Sequence, residues 1–497
     1  MKNLLKKLKN LSGDPYAVAV FFLSFVMVFV KKWEPGGNLD TIWDSALARN
    51  IAETGDYFHW FISKYYLNPV FDHMPLTYWI IGAMMKVFGV SDLVARTYPM
   101  FCSFFSYILV YKIGKHLKDK EFGLVCLLSY VMVFGASKWN GAVTQDVPLT
   151  TYFLAAYYTF LKGWESPRFW LWTGFFFAIG VFTKGPIIFG FGLGVLMWSL
   201  FQKSFFYLKK REFYKAALVA ILILLIPFAP FLRFDGLTIY QKFYIAKYSY
   251  LESSQSDFWH YFAYFGLIPQ TATLTLIPFF YSFRLLAKKQ TEFSKGAISA
   301  LYLALFIALG IVIPLSFFKI KFPHYLLAVY PFMALFAAPS LYYGLKGTQK
   351  RIKFDFPVLI RRLSVTALCV FVALPIKTTG GRGKTDLNLV NIIKLDPQIK
   401  SKDIYFYGTY QTDMIIFQMF KLYSGLDLRS LTGDDIAKID LKKAYVIIPT
   451  PDLPLVVGDF KVSEADCYIR TLNRCVITDR GSSAFVLPDW VYPHEVY

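Results

Sequence analysis

Long apolar stretches separated by short polar loops dominate this chain. A helix needs roughly 20 apolar residues to cross a bilayer, and fewer where basic and aromatic side chains extend to the interface at its ends. This criterion predicts a polytopic α-helical membrane protein with about eleven transmembrane helices. The predicted crossings are Tyr16–Val30, Tyr98–Ile113, Phe122–Ala136, Val147–Leu161, Phe169–Phe182, Ile187–Phe201, Ala216–Leu232, Trp259–Phe283, Ala297–Phe318, Tyr325–Leu345 and Leu363–Ile376.

A twelfth apolar run, Leu76–Phe88, is shorter and contains Lys86. On length alone it could cross the membrane or lie at its interface. If it stays on the outer side and the N-terminus is cytoplasmic, basic clusters such as Lys209-Lys210-Arg211 and Lys350-Arg351 fall in cytoplasmic loops. Cytoplasmic loops are enriched in Lys and Arg, so the positive-inside rule favours a juxtamembrane helix in the first outer loop.

The pattern of the sequence changes after Ile376. Thr378-Thr379-Gly380-Gly381 is typical of a linker, and short β-like runs follow it. These runs are Ile404–Gly408, Ala444–Pro449, Tyr468–Thr478 and Ala484–Pro488, with a helical stretch at Gln411–Tyr423. About 120 residues suffice for one small domain. We therefore predict a transmembrane domain over residues 1–376 and an extracytoplasmic α/β domain over residues 377–497.

Composition narrows the class of protein. Of the 497 residues, 56% are hydrophobic and only 17% are charged, whereas soluble domains are nearer one quarter charged. A net charge of +20 would suit a nucleic-acid-binding protein, but the basic residues lie in clusters between apolar runs. This arrangement is the positive-inside pattern, so we expect membrane lipids and not nucleic acid as partners.

The five cysteines fall into two groups. Cys102, Cys126 and Cys369 lie in apolar runs and are interpreted as packing residues. Cys467 and Cys475 flank a β-like stretch of the outer domain, where a disulfide could close a hairpin. No CxxC pair or Cys/His cluster in the sequence suggests a structural zinc site.

Charged residues near the outer ends of the predicted helices are the candidates for chemistry, because charge in or beside a bilayer is costly. In the eleven-helix arrangement the outer loops carry Asp40, Asp72, Asp146, Lys184, Lys321 and His324. Carboxylates that face cations could transfer a group from a phosphate leaving group. One carboxylate would act as general base while Lys or His holds the phosphate.

Each of these residues also has a structural alternative. Asp40 and Asp146 could cap helices, and Lys184 could extend its stem along apolar surface to the interface. His324 follows Pro323 at a helix start and could be an ordinary interfacial side chain. Three further acids, Asp44, Asp56 and Asp92, are interpreted as solvated or capping positions.

Six short motifs occur in order between about Met1 and Leu345. They are Asp40…Ala48-Arg49-Asn50-Ile51-Ala52-Glu53-Thr54-Gly55-Asp56-Tyr57; Asp72-His73-Met74-Pro75-Leu76-Thr77-Tyr78-Trp79; Phe88-Gly89-Val90-Ser91-Asp92-Leu93-Val94-Ala95-Arg96; Thr144-Gln145-Asp146-Val147-Pro148-Leu149; Phe182-Thr183-Lys184-Gly185-Pro186; and Lys321-Phe322-Pro323-His324-Tyr325-Leu326-Leu327. With these motifs the chain resembles the polyprenyl-phosphate-sugar-dependent glycosyltransferases of the GT-C superfamily, especially the aminoarabinose transferase and protein O-mannosyltransferase branch.

The resemblance implies roles for particular residues. Asp40 occupies the position of the catalytic base, and Thr41 replaces the Glu that follows it in the family. Asp146 matches the second acidic position. Residues expected near the donor phosphate are Lys184, Lys321, His73, His324 and Tyr325, with His73 in place of a family Lys. Residues expected to position donor or acceptor are Asp72, Arg49 and Arg96. Asp72 is also a candidate ligand for a divalent metal, the one cofactor that the sequence suggests.

The resemblance further implies an inverting transfer of sugar from a polyprenyl-phosphate donor to an acceptor on the outer face of the membrane. A glycolipid such as lipid A, a glycan or a protein would be the acceptor, and a bacterial inner membrane the location. Three other classes stay open: another membrane enzyme of lipid-linked glycans, such as an oligosaccharide ligase; a lipid or sugar transporter; and a non-catalytic membrane scaffold that displays the outer domain. Inverted repeats and broken mid-membrane helices would favour a transporter, and the sequence shows neither.

Overall fold

A computed structural model gives the fold of the chain. It describes residues 14–29, 39–58, 65, 73–240, 258–288, 292–318, 321–373, 384–395, 399, 401–408, 413–432, 435, 438–449, 452, 469–470 and 474–478. The α-helices are α1 (Pro15–Phe29), α2 (Leu39–Thr54), α3 (Leu76–Phe88), α4 (Asp92–Leu117), α5 (Lys120–Val131), α6 (Phe134–Lys138), α7 (Asp146–Glu165), α8 (Trp170–Lys184), α9 (Phe189–Gln202), α10 (Arg211–Tyr240), α11 (Ala263–Thr271), α12 (Thr273–Ala287), α13 (Lys295–Ser316), α14 (Tyr330–Ile352), α15 (Phe356–Ala373), α16 (Lys384–Leu395) and α17 (Met414–Met419).

The chain divides into two compact units. Unit 1 comprises Met1–Trp33, Phe71–Thr77 and Arg96–Lys377. Unit 2 comprises Glu34–Val70, Tyr78–Ala95 and Thr378–Tyr497. The domain limits expected from the sequence, 1–376 and 377–497, stay a prediction. Most of the first predicted outer loop, however, groups with the C-terminal residues and not with the apolar helices.

Small residues allow the helices of unit 1 to approach closely. A Cβ atom placed on Gly194 of α9 would lie only 2.5 Å from the Cα atom of Ile307 in α13, and one on Gly190 would lie 2.9 Å from the carbonyl oxygen of Gly310. Close backbone approach of this kind is typical of helices in a membrane, where the hydrophobic effect does not drive their association. Side-chain caps define some helix starts, such as Ser294, whose Oγ accepts from the backbone N–H of Ala297 at 3.1 Å.

Helices α7 and α8 form an antiparallel hairpin in unit 1. They are joined by a short 3₁₀ turn at Pro167–Phe169. The indole N–H of Trp170 donates to the carbonyl oxygen of Phe160 at 3.1 Å, and the hydroxyls of Thr159 and Thr173 lie 3.0 Å apart. The start of α7 and the end of α8 therefore lie at the same end of the hairpin.

The predicted crossing Trp259–Phe283 is interrupted. Its helical segments α11 and α12 meet at a bend of 104°, where Ala272 leaves the helical conformation. The hydroxyl of Thr271 donates back to the carbonyl oxygen of Leu267 at 2.9 Å, and that of Thr273 donates to Pro269. Such bonds compete with the helical ladder and bend helices. Hydropathy alone does not register this bend.

Within the described residues, three helical runs are long and apolar enough to cross a membrane. They are Asp92–Leu117, Pro167–Gln202 and Lys295–Ser316, and the bent α11–α12 pair would be a fourth. The run Pro167–Gln202 contains α8 and α9, which the sequence predicts as two crossings. The helical membrane class is confirmed, and the number of eleven crossings stays a prediction.

A five-stranded mixed sheet forms the centre of unit 2. Its strands are β1 (Asp403–Tyr407), β2 (Arg429–Leu431), β3 (Ala444–Pro449), β4 (Ile469–Arg470) and β5 (Arg474–Ile477), in the order β2-β1-β3-β5-β4. β1 pairs in parallel with β2 and β3, whereas β5 is antiparallel to β3 and β4. The central strand β3 is buried at five of its six positions, which explains its continuous apolar sequence. A small mixed sheet is therefore present, and the α/β domain over residues 377–497 stays a prediction.

The strand predictions can be compared with this sheet. The bounds of β3 are as predicted, β1 begins one residue earlier, and Tyr468–Thr478 contains the β4–β5 hairpin. β2 was not predicted, and Ala484–Pro488 lies outside the described residues.

The structure also describes four of the five cysteines. Cys475 in β5 is disulfide-bonded, whereas its predicted partner Cys467 lies outside the described residues. Cys102 and Cys126 are free and buried, as predicted. Cys369 is exposed, so its interpretation as a packing residue is wrong: a residue within an apolar helix can lie on its outward side.

Candidate active site

The α7–α8 hairpin brings together an acidic and a basic side chain. Asp146 is the first residue of α7 and Lys184 is the last residue of α8. The Lys184 ammonium donates to Oδ2 of Asp146, and both residues are almost inaccessible to solvent, at 4% and 3% exposure. The structural alternatives for these two residues do not hold. Lys184 is buried and does not extend to the interface. The Asp146 carboxylate binds an ammonium and does not cap the helix. A buried ion pair needs close pairing to offset its desolvation, and this geometry provides it.

Gly185 fixes the end of α8. Its φ of +73° is a conformation that glycine adopts without steric cost, and a 3₁₀ turn from Gly185 to Ile188 leads into α9. The predicted motif Thr183-Lys184-Gly185-Pro186 therefore stops a helix so that a lysine is held at its end.

His324 and Tyr325 complete the cluster. Nε2 of His324 lies 3.8 Å from Oδ2 of Asp146, and the Lys184 ammonium lies 4.1 Å from the centroid of the Tyr325 ring. An ammonium over an aromatic face is stabilised by the ring quadrupole. Two residues that are distant in sequence from Asp146 and Lys184 thus lie beside them, and both belong to the predicted set.

Aromatic rings hold His324 in place. The ring of Phe322 stacks on it with centroids 5.2 Å apart, and the ring of Trp139 lies 4.9 Å away. Trp139 was not among the predicted site residues. Its position seven residues before Asp146, in the same predicted outer loop, was the one signal that could have identified it.

Lys321 has a different environment from Lys184. Its ammonium donates to the backbone carbonyls of Leu315 at 3.2 Å, Ser316 at 2.6 Å and Phe318, at and just beyond the end of α13. A lysine has three N–H donors, so these carbonyls account for all of them. Burial lowers the pKa of Lys321 to about 8. In this structure Lys321 caps a helix and positions the segment that carries His324.

Residues around the second motif lie partly in unit 1. His73 is half-buried, and a Cβ atom placed on Gly185 would lie 3.8 Å from Met74. The motif therefore contacts the end of α8. Arg96, a predicted positioning residue, is buried on α4. Asp72 lies outside the described residues.

Asp40 lies in unit 2, in the first turn of α2, and is half-buried. One turn further along the same helix, Asp44 is buried at 2% exposure and accepts a hydrogen bond from the hydroxyl of Tyr78 at 3.0 Å. The interpretation of Asp44 as solvated or capping is therefore wrong. The sequence could not show this, because Tyr78 belongs to a different helix, α3.

Arg49, which is predicted to position donor or acceptor, also belongs to unit 2. Its guanidinium donates to Glu53 at 2.6 Å and to the carbonyl oxygen of Leu422 at 2.7 Å. Lys421 bridges Glu53 at 2.7 Å and Asp427 at 3.5 Å. These bonds connect α2 to the C-terminal part of the chain, a connection that spans more than 370 residues of sequence.

The two other acids with uncertain roles are also bonded. Oδ1 of Asp56 accepts from the backbone N–H of Phe58 at 2.9 Å, as a turn-capping residue does. Both carboxylate oxygens of Asp92 accept from the hydroxyl of Tyr423, at 3.1 and 3.0 Å.

The described side chains include few groupings of potential metal ligands. Among them, no group of three His, Cys, Asp or Glu residues is placed to hold a metal ion. The candidate metal ligand Asp72 lies outside this part of the chain.

Comparison with known proteins relates part of the chain to a protein family. Residues 72–232 match the sequence profile of the dolichyl-phosphate-mannose-protein mannosyltransferase family. The predicted family resemblance is confirmed. The matched region includes the motifs that contribute His73, Asp146 and Lys184.

The fold of the chain is that of ArnT from Cupriavidus metallidurans. The apo structure aligns with a TM-score of 0.66 at 14% identity, covering 93% of this chain and 96% of that one. A second structure, of the same protein bound to undecaprenyl phosphate, also aligns at 0.66, with 15% identity and coverage of 95% and 98%.

Two uncharacterised proteins of Aquifex aeolicus (strain VF5) are similar in sequence. One is 22% identical over 348 residues, covering 65% of this chain and 63% of its own length. The other is 25% identical over 312 residues, covering 62% and 67%. The chain thus spans less than two thirds of the length of the first relative.

Proposed function

We propose that this protein is an inverting glycosyltransferase that moves a sugar from a polyprenyl-phosphate donor to an acceptor on the outer face of a bacterial inner membrane. The observation that carries the proposal is the buried Lys184–Asp146 pair with His324 and Tyr325 beside it. A cation held in a water-poor site suits a phosphate leaving group. The fold supports the same reading, since ArnT has been solved with undecaprenyl phosphate bound.

Lys184 would bind the donor phosphate. Its ammonium has three donors, and within the described part of the chain one of them is used, by Asp146. The others can donate to phosphate oxygens while Asp146 keeps the ammonium oriented. His324, when protonated, would add a second positive charge, and His73 and Lys321 would add further positive potential.

Asp40 would act as the general base. It would accept the proton of an acceptor hydroxyl or phosphate as the acceptor oxygen forms a bond to the anomeric carbon. The bond from that carbon to the phosphate oxygen breaks on the opposite face, so the configuration inverts. The electron pair leaves on the lipid phosphate, whose charge Lys184 stabilises. Proposed acceptors are a glycolipid such as lipid A, a glycan or a protein.

Substitutions at the two acids and the lysine test the proposal. Asp40→Asn preserves size but removes basicity, so sugar transfer should fall by about 100- to 10,000-fold. Lys184→Ala should weaken donor affinity as well as turnover, because it removes a contact made in both ground and transition states. The measurement is transfer of labelled undecaprenyl-phosphate-linked sugar by purified, folded variants. Mass spectrometry of lipid-linked sugars and glycans, in cells with and without the protein, would identify donor and acceptor.

A matched control is Asp56→Asn, which changes an acid on the same outer loop whose carboxylate caps a turn. It should retain nearly wild-type transfer. Wild-type rates in both Asp40→Asn and Asp146→Asn would overturn the proposed mechanism.

A further inference from the structure

Three buried polar side chains accompany the Lys184–Asp146 pair. They are Thr77, Thr144 and Gln145, all in unit 1, and their exposed fractions are 0%, 2% and 1%. Within the residues that the structure describes, the hydroxyls of Thr77 and Thr144 and both amide atoms of Gln145 have no hydrogen-bond partner. Burying such groups unpaired is costly, and folded proteins contain few of them.

Their placement links these groups to the candidate active site. Thr144 and Gln145 immediately precede Asp146, and Gln145 is the N-cap residue of α7, although its side chain makes no capping bond. Thr77 ends the segment whose Met74 lies 3.8 Å from a Cβ atom placed on Gly185. Unpaired polar groups thus occur on two of the segments that surround the Lys184–Asp146 pair.

The chemistry of Gln145 limits what could bind it. Its Nε2 atom needs an acceptor, whereas its Oε1 atom needs a donor. An ionised phosphate supplies acceptors only and would leave Oε1 unsatisfied. A hydroxyl group supplies both, an amino group supplies donors, and the threonine hydroxyls pair equally well with either.

We propose that Thr144 and Gln145, with Thr77, form a subsite that binds a hydroxyl or amino group on the sugar of the lipid-linked donor. The inference rests on the proposed function, in which Lys184 binds the phosphate to which that sugar is attached. Gln145 is then a specificity-determining residue. A site built to bond a polar group rejects analogues that lack it, because its own buried groups are left unpaired.

Gln145→Leu tests the subsite, because leucine is similar in size but has no hydrogen-bonding atoms. In the lipid-free protein the variant should unfold at the same temperature as wild type or higher, since an unpaired buried amide has been removed. In transfer assays, kcat/KM for the preferred sugar should fall about tenfold or more, the loss of roughly one hydrogen bond. Affinity for undecaprenyl phosphate without a sugar should not change.

The probes are undecaprenyl phosphate alone and the same lipid phosphate linked to mannose, glucose or 4-amino-arabinose, each with deoxy analogues. Wild-type protein should be stabilised more by one linked sugar than by the bare lipid phosphate, and Gln145→Leu should lose that difference. Thr275→Val is the matched control, since Thr275 on α12 is another buried hydroxyl without a partner among the described residues. It should retain the wild-type sugar preference.

Three results would overturn the subsite. The first is a clear drop in unfolding temperature for lipid-free Gln145→Leu, which would mean that the amide has a structural partner. The second is an unchanged sugar preference in that variant, and the third is a wild-type protein that does not distinguish linked sugars from bare lipid phosphate. If Asp40→Asn loses transfer while Gln145→Leu keeps the wild-type sugar preference, the subsite is rejected and the proposed function is retained.

Discussion

At the scale of single residues, Lys184 and Lys321 show that two lysines with the same predicted role can have different environments. Lys184 faces a carboxylate and an aromatic ring, whereas Lys321 donates to main-chain carbonyls that carry no full charge. Burial without a carboxylate partner is why the pKa of Lys321 falls to about 8. Its positive charge is therefore sensitive to pH in a range where an ordinary lysine stays charged.

We expect transfer to decline as pH rises through about 8. The folded protein loses the Lys321 proton at lower pH than the unfolded chain, whose lysines titrate near 10.4. With the ammonium neutral, the His324 segment loses charge-assisted hydrogen bonds and the site loses positive potential. Lys321→Arg retains its charge, so the alkaline decline should move to higher pH in a profile of kcat/KM.

Lys346→Arg is the control for that profile, because Lys346 pairs with Glu121 at 2.7 Å and has no proposed role in the site. It should leave the alkaline decline where it is in wild type. A decline that stays near pH 8 in Lys321→Arg would show that another group is titrating.

The motifs contain residues that the fold brings together, but they do not show every contact that these residues make. Asp146, Lys184, His324 and Tyr325 were all predicted and lie together. Asp44 was misread because its burial depends on Tyr78 from another helix. Residue type and spacing indicate which side chains carry chemistry, whereas burial depends on contacts that are remote in sequence.

At the scale of elements, α2 is held by a charge cluster from the C-terminal part of unit 2. Lys421 is buried between Glu53 and Asp427, and Arg49 reaches the carbonyl oxygen of Leu422. A Cβ atom on Gly425 would clash with the Arg49 guanidinium, so glycine at this turn leaves room for the contact. The helix that carries Asp40 is thereby fixed by residues more than 370 positions away.

Lys421→Met should loosen α2. It leaves the partly exposed carboxylate of Glu53 and the half-buried carboxylate of Asp427 without their cation. Because water screens Glu53, the loss is about 1.4 kcal/mol, less than for a fully buried pair. Hydrogen exchange of the α2 amides should accelerate by about tenfold, which is that free energy expressed as an opening constant. Lys394→Met is the control, since exposed Lys394 makes one long bond to the carbonyl oxygen of Tyr423 at 3.3 Å. Equal protection in both variants would contradict the role given to Lys421.

The same cluster should respond to acid. Burial opposes ionisation of Glu53, but hydrogen bonds from Lys421 and Arg49 outweigh it and hold the pKa of Glu53 below its ordinary value. A carboxyl whose pKa is lowered by folding adds stability above its unfolded pKa. That contribution is lost as pH falls through the pKa of Glu53 in the folded protein. The hydrogen-exchange protection of the α2 amides in wild type should therefore decrease in acid. In Lys421→Met the decrease should be smaller.

Sequence patterns predicted elements best where one pattern covers a whole element. The bounds of α3 and β3 are those expected from their apolar runs. The 104° bend between α11 and α12 was missed because the break at Ala272 lies within a continuous apolar run and does not change the hydropathy. Strand β2 was missed because three residues give no measurable alternation, and its place in the sheet comes from pairing with β1.

At the scale of the whole molecule, the chain forms two units that do not follow its order in sequence. Residues 34–70 and 78–95 group with the C-terminal sheet, whereas Phe71–Thr77 groups with the apolar helices. Hydropathy assigns a loop to the helices that flank it. It cannot show that charged contacts such as Lys421 to Glu53 attach that loop to a distant domain.

The placement of basic residues predicts the orientation of the chain in the membrane. Basic clusters such as Lys209-Lys210-Arg211 lie between apolar helices and should face the cytoplasm. The predicted eleven crossings are an odd number. If the N-terminus is cytoplasmic, the C-terminal sheet of unit 2 then lies outside the cytoplasm. That side is an oxidising compartment in many bacteria, which agrees with the disulfide at Cys475. A reporter that is active only outside the cytoplasm, fused after Tyr497, should therefore be active.

A matched fusion after Lys210 should be inactive with the same reporter and active with one that works only inside. Both fusions must be stably inserted for the comparison to hold. A silent outer reporter at Tyr497 would mean an even number of crossings. In that case Leu76–Phe88 would be a crossing rather than a juxtamembrane helix, and the sheet domain would lie in the cytoplasm, where a disulfide at Cys475 would not be expected to persist.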